Sequence, residues 1–170
     1  MSSFALELLD ATHDRKGFHS GLDAIDLYLK ETARGHTDKG VSLTWVLVNP
    51  DAAPPKPILG YFSITPCMVE AAGWPHVPKG LPRNPVGAVL LGRMGVAKSM
   101  QGAGLGTRLL ALARRISSDS LAGTGRIGMV VDAATVELIG FYEKFGFRRI
   151  TPDSRRLFLP TRSLVQPPGD

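Results

Sequence analysis

At 170 residues, 44% hydrophobic and 21% charged, the chain has the length of one domain and can bury a core without covalent staples. Its single cysteine, Cys67, excludes an internal disulfide and, with four scattered histidines, argues against a structural zinc site. The formal charge of +5 is uneven: residues 1–100 carry 10 Lys and Arg against 9 Asp and Glu, whereas residues 101–170 carry 10 against 6. That excess fits an anionic partner, cofactor phosphate or nucleic acid, as well as a plain solvated basic surface.

The opening stretch MSSFALELLDATHDRK has no long apolar core, so neither a signal peptide nor a membrane span is expected there. A cytoplasmic setting is expected from the lone Cys67, which suits a reducing compartment. FALELL (4–9) reads as a first strand. In SGLDAIDLYLKETA, Ser20 is placed as an N-cap with Asp23 reaching back to it. Leu22, Ile25, Leu29 and Ala33 then recur at helical spacing. SLTWVLVN (42–49) and ILGYFSIT (58–65) are β-branched and aromatic strands, joined by the proline-laden turn NPDAAPPKP. Residues 66–85, rich in proline and glycine, read as a long irregular excursion.

VGAVLLGRMGVAK (86–98) is a near-continuous apolar strand and is expected near the middle of the sheet. A helix beginning at Leu105 presents Leu109, Leu112, Ala113 and Ile116 on one face. RIGMVVDAA (126–134) is a further buried strand, and TVELIGFYEKFGF a helix stopped by Gly146 at its C′ position. FRRIT and RRLFLP complete the sheet, and QPPGD is a tail. Strands and helices alternate only in the second half, which predicts a mixed α/β sheet and not a doubly wound one. Residues 1–165 are read as a single domain and 166–170 as the tail.

Between the strand ending at Lys98 and the helix from Leu105 stand Gly102, Gly104 and Gly106. Each glycine costs a helix start roughly 1 kcal/mol relative to alanine, so three of them call for a reason. A helix N-terminus offers unpaired N–H groups and partial positive charge, and glycines let an anion approach the backbone closely. The nucleotide-triphosphate loop is excluded because Gly106 is followed by Thr107 and Arg108. The dinucleotide fingerprint is excluded because its sixth position, counted from Gly102, is Thr107. The remaining pattern is Gln101-x-x-Gly104-x-Gly106.

This pattern resembles the pyrophosphate loop of the GNAT (Gcn5-related) N-acetyltransferases. The preceding strand LLGRMGVAK and the later FYEKFGF, with Tyr142 and Gly146-Phe147 in register, are similar to the same family. The resemblance implies an α+β fold whose mixed central sheet is splayed at two parallel strands and flanked by helices. It implies acetyl-CoA as cofactor, with contacts from Met94, Gly95 and Val96 on the strand, Gly95 permitting close approach. Gln101, Gly102, Ala103, Gly104, Leu105, Gly106 and Thr107 contribute from the loop, then Thr135 and Phe141. Many relatives carry asparagine where this chain has Thr135, so that contact is expected to be absent or weaker. The implied catalytic residue is Tyr142, whose phenol would protonate the departing thiolate; packing in the aromatic patch with Phe141, Phe145 and Phe147 is its plain structural alternative.

Glu70, Asp132, Glu137 and His76 are general bases by type only, and His13, His19 and His36 read as surface or core residues. Without an evident base, an α-amine of pKa about 8 is a more tractable acceptor than a lysine amine near 10.4. The chain resembles one subgroup more closely, the TacT/AtaT-like toxins of type II toxin–antitoxin modules. HDRKGFHSGLDAIDLYLKETA, LGYFSIT, NPVGAVLLGRMGVAKSMQGAGLG and RRLFLP carry that likeness. It implies aminoacyl-tRNA as substrate, a ribbon-helix-helix antitoxin as partner, and a homodimer. A tRNA would need basic side chains, for which Lys79, Arg83, Arg93, Arg155 and Arg156 are the candidates. Arg93, within an apolar strand, is expected to be buried and partnered. Acetylation of a small-molecule or protein amine, and a catalytically idle binding module, are the alternatives.

Overall fold

In the computed structural model, which describes residues 3–121 and 124–164, the apolar runs fall into nine strands and five helices among the described residues. In chain order these are β1 (Ala5–Leu8), β2 (His13–Asp14), α1 (Asp23–Glu31), α2 (Ala33–Asp38), β3 (Leu43–Val48), β4 (Lys56–Pro57), β5 (Gly60–Val69) and β6 (Val86–Val96). A single 3₁₀ turn, Lys98–Met100, leads to α3 (Leu105–Leu121). Then come β7 (Gly128–Asp132), α4 (Val136–Glu143), β8 (Arg148–Arg149), β9 (Arg156–Pro160) and α5 (Thr161–Leu164). The chain divides into two compact units, Met1–Thr65 with Gly92–Leu112, and Pro66–Leu91 with Ala113–Asp170.

In the first unit β3 is flanked antiparallel by β1, with Ala5 opposite Val48, and by β5, with Trp45 opposite Phe62. β2 and β4 form a small separate parallel pair. The unit's core gathers Phe18, Ile25, Leu29, Val46, Val48 and Tyr61. Rings of Phe18 and Tyr61 meet edge to face at 5.5 Å, and the Tyr61 hydroxyl donates to the Ile25 carbonyl at 2.6 Å. That bond ties α1 to β5 and satisfies a hydroxyl which burial otherwise makes costly.

In the second unit β6 and β7 run parallel, pairing Val89–Leu91 with Met129–Val131, and β9 lies antiparallel to both β7 and β8. Val69, Ala88, Val130 and Phe158 form its core, with Trp74 edge-on to Phe158 at 5.8 Å. The buried Arg114 of α3 donates to the Ser163 carbonyl at 2.6 Å, so a charged residue inside the unit binds the carbonyl end of a short helix. Its burial holds the guanidinium below its ordinary pKa. The sheet pairings are mostly antiparallel, as expected for a mixed α/β fold.

Three local expectations are corrected. Ser20 does not cap α1; the cap position is Leu22, without a side-chain bond, and the residue reaching back is Asp26, not Asp23. The excursion expected from residue 66 begins after Val69. β5 continues through Pro66 because Cys67 and Val69 alternate into the second core while Met68, 67% exposed, points out. α4 is capped by Lys144, so the left-handed Gly146 (φ 93°) falls two residues past the cap and not at C′.

Candidate cofactor and acyl-transfer site

The glycine loop belongs to the first unit. Gly102 and Gly104 have φ of 83° and 82°, and a Cβ on either would meet nothing within 4 Å. Conformation, not crowding, therefore requires glycine at both positions. The first bond at the start of α3 is from Arg108 N–H to the Gly104 carbonyl at 3.2 Å. The N–H groups of Leu105, Gly106 and Thr107 thus have no acceptor within the helix. An open turn with glycine at 102 and 104, feeding those donors, fits a pyrophosphate, whose charge the helix dipole also favours.

The Gln101 side chain is engaged within the protein. Its side-chain amide nitrogen donates to the Ser20 carbonyl at 2.7 Å and the Val96 carbonyl at 3.0 Å. Gly95 has a packing role beside the expected one, since a Cβ there would lie 2.5 Å from Ile25 Cγ2. Its missing side chain admits α1. Met94 and Val96 are half-buried beside it. Arg93 is exposed and not buried: its guanidinium stacks 5.2 Å from the Tyr28 ring centroid and donates to the Gly92 carbonyl at 2.9 Å. A cation–π contact serves as its partner.

Thr135, Phe141 and Tyr142 belong to the second unit. Thr135 occupies the N-cap position of α4 in extended conformation, with no side-chain cap bond. Tyr142 is 4% exposed and lies edge-on to Phe141 at 5.2 Å and Phe147 at 5.7 Å. The aromatic patch expected from sequence is therefore present around it. Burial pushes its phenol up to about 12. Among the described residues its hydroxyl makes no hydrogen bond. A neutral phenol with a free donor suits the protonation of a leaving group.

The base candidates thin out. Asp132 accepts two bonds from Arg156, at 2.7 and 2.8 Å, which commits both residues to each other. Glu70, Glu137 and His76 are exposed. His13 is buried, and its Nδ1 accepts the Asp10 N–H at 3.0 Å; His19 is exposed, with Nδ1 3.2 Å from Asp26. Of the basic candidates, Lys79 and Arg83 are exposed, and Arg155 donates to the Ala134 carbonyl at 3.1 Å. Sequence reading missed Arg126 and Arg162, which line a recess of about 280 Å³ with His76, Pro78, Ile127, Pro160 and Thr161. Among the described residues no carboxylate lines it, and His76 adopts φ of 64° there.

The chain belongs to the GNAT acetyltransferase family, whose domain model matches residues 56–149. A protein of Mycobacterium tuberculosis (strain ATCC 25618 / H37Rv) described as a tRNA-acetylating toxin is 30% identical over 150 residues, covering 86% of this chain and 85% of that one. The solved structure of AtaT complexed with acetyl-methionyl-tRNAfMet is 26% identical with a TM-score of 0.84, covering 95% of this chain and 97% of that one. A mutant AtaT toxin bound to the C-terminus of the antitoxin AtaR is 25% identical with a TM-score of 0.81, covering 95% of each chain. No described helix is long and apolar enough to cross a membrane.

Proposed function

We propose that this protein transfers the acetyl group of acetyl-CoA to the α-amine of aminoacyl-tRNA, as the toxin of a type II toxin–antitoxin module in the cytoplasm, with residues 1–165 as one catalytic domain. The observation that carries it is the loop: left-handed Gly102 and Gly104 opening onto the donor-rich start of α3. Similarity to a tRNA-acetylating toxin over most of the chain supplies the acceptor class.

The thioester supplies an activated acetyl group; the chain's own residues supply position and a proton. The N–H groups of Leu105, Gly106 and Thr107 take the pyrophosphate, while Met94 and Val96 offer backbone to the pantetheine arm. Tyr142 holds its proton at neutral pH as any phenol does, and its burial only strengthens that, so it would enter as a hydrogen-bond donor to the departing sulfur. An α-amine near pKa 8 is partly neutral at physiological pH and attacks without prior deprotonation by a side chain; the proton it sheds as the amide forms passes to solvent, from which Tyr142 recovers the one given to sulfur. Lys79, Arg83 and Arg155, joined by Arg126 and Arg162, supply cations for tRNA phosphates. Arg156 is held by Asp132, and Arg93 contributes from its stacked position on Tyr28. A ribbon-helix-helix antitoxin neutralises the enzyme, which works as a homodimer.

Tyr142→Phe is the test. The variant should fold and bind acetyl-CoA while its transfer rate falls about 10²-fold or more, the range typical of a lost general acid. Undiminished transfer would remove Tyr142 from the chemistry.

A further inference from the structure

We infer that Asp26 is a positioning residue for the cofactor loop, acting through Ser20 and Gln101 to fix the backbone that receives the pyrophosphate. The inference rests on the function proposed above and on groups within the first unit alone.

Asp26 is only 5% exposed, and a carboxylate at that depth persists only where donors compensate it. One oxygen accepts both the Ser20 N–H at 2.9 Å and the Ser20 hydroxyl at 2.6 Å. The other lies 3.2 Å from His19 Nδ1. These bonds fix the His19–Ser20 backbone, and both of its carbonyls are then used on the segment leading into the loop. The His19 carbonyl accepts Lys98 N–H at 2.7 Å, and the Ser20 carbonyl accepts the Gln101 amide at 2.7 Å. The same nitrogen reaches the Val96 carbonyl, so both of its N–H groups are spent inside the protein.

The glycines beyond Gln101 account for the need. Gly102 and Gly104 are the most freely rotating residues a chain can offer, and a ligand binding to them must otherwise bear the entropy of ordering them. A strut immediately ahead of the glycines orders the turn in advance. Gly95 serves the same end, because its lack of a Cβ lets Ile25 bring α1 against this segment. The glycines open the loop, and Asp26 keeps it in place.

The test titrates CoA, without the acetyl group, into the full chain by calorimetry, using wild type, Asp26→Asn and Gln101→Met. Gln101→Met keeps side-chain length and removes the donors, and as an exposed position it keeps the test available should Asp26→Asn misfold. Gln101→Met loses its bonds to Ser20 and Val96 and should weaken CoA by about tenfold, whereas Asp26→Asn keeps one acceptor oxygen for Ser20 but loses the charge that strengthens both bonds and should weaken CoA by about threefold. In acetyl transfer, Asp26→Asn should raise KM for acetyl-CoA with kcat nearly held. Unchanged CoA affinity alongside a lowered melting temperature would overturn the inference and leave Asp26 a purely structural residue. Failure of wild type to bind CoA would instead overturn the proposed function, and this inference with it.

Discussion

Alanine at position 95 separates two uses of a glycine. A Cβ there lies 2.5 Å from Ile25 Cγ2 and 3.7 Å from Phe18 and Ser20. Ile25 is 3% exposed on α1, and a β-branched side chain in a helix has essentially one χ1 setting, so its methyl cannot swing aside. Overpacking of this kind costs about 1–3 kcal/mol. Ile25→Ala alone leaves a cavity and costs about 2–4 kcal/mol. If the two changes were independent, the double variant would lose about 5 kcal/mol. In the double variant, however, the clashing methyl is gone and the new Cβ fills part of the space. Its loss should therefore be about 3 kcal/mol, a coupling of about 2 kcal/mol. For a chain of this size that coupling separates melting temperatures by about 4–8 °C, and urea midpoints of the four proteins measure it. Additivity within about 0.5 kcal/mol would refute the packing argument. So would a Gly95→Ala protein that melts like wild type yet binds CoA poorly, since the glycine would then be kept for the cofactor.

Gly104→Ala should destabilise by about 1–2 kcal/mol from its left-handed backbone alone, with Gly104→Asn costing less; thermal melting of the pair checks the order. Tyr142 gives an alkaline limit. Its folded phenol titrates near 12 against an ordinary 10.0, so its contribution is complete below pH 10 and is lost as pH rises toward 12. The loss is on the order of 3 kcal/mol, and Tyr142→Phe should flatten that part of a stability–pH curve. Lys56 beside Glu7, at 2.8 and 3.1 Å, holds that carboxyl below its ordinary value. The stabilisation is present above about pH 4.5 and lost as pH falls below it; partial exposure keeps it under about 1 kcal/mol. Acid titration of Lys56→Met should show a shallower loss, and an unchanged slope would mean that the ion pair adds nothing to stability.

Much of the framework was legible because periodicity reports burial directly. Leu29 and Ala33 on α1 and α2, and Val130 on β7, are buried where spacing placed them. The glycine loop was legible because three glycines at a helix start contradict local propensity, and such contradictions mark function. Contacts between distant segments were beyond the reach of sequence. Gln101 reads as a cofactor contact, and nothing in its spacing announces that its side chain also braces Ser20, 81 positions away. Asp23 sat at capping-box spacing, yet the carboxylate that closes on Ser20 is Asp26, one turn further along. Arg93 looked buried from its apolar neighbours, but strand alternation turns it outward onto Tyr28. Arg126 and Arg162 are 36 positions apart in sequence, and only the fold brings them to one recess.

The measurement that bears most directly on the function is an incubation of the purified protein with acetyl-CoA and total charged tRNA, followed by mass spectrometry of the amino acids released from the tRNA. The expected result is acetyl on the α-amine of one or a few amino acids, lost in Tyr142→Phe and absent when the tRNA is uncharged. CoA binding with no transfer to any charged tRNA, alongside transfer to a small-molecule or peptide amine, would contradict the tRNA-directed function while leaving the acetyltransferase in place.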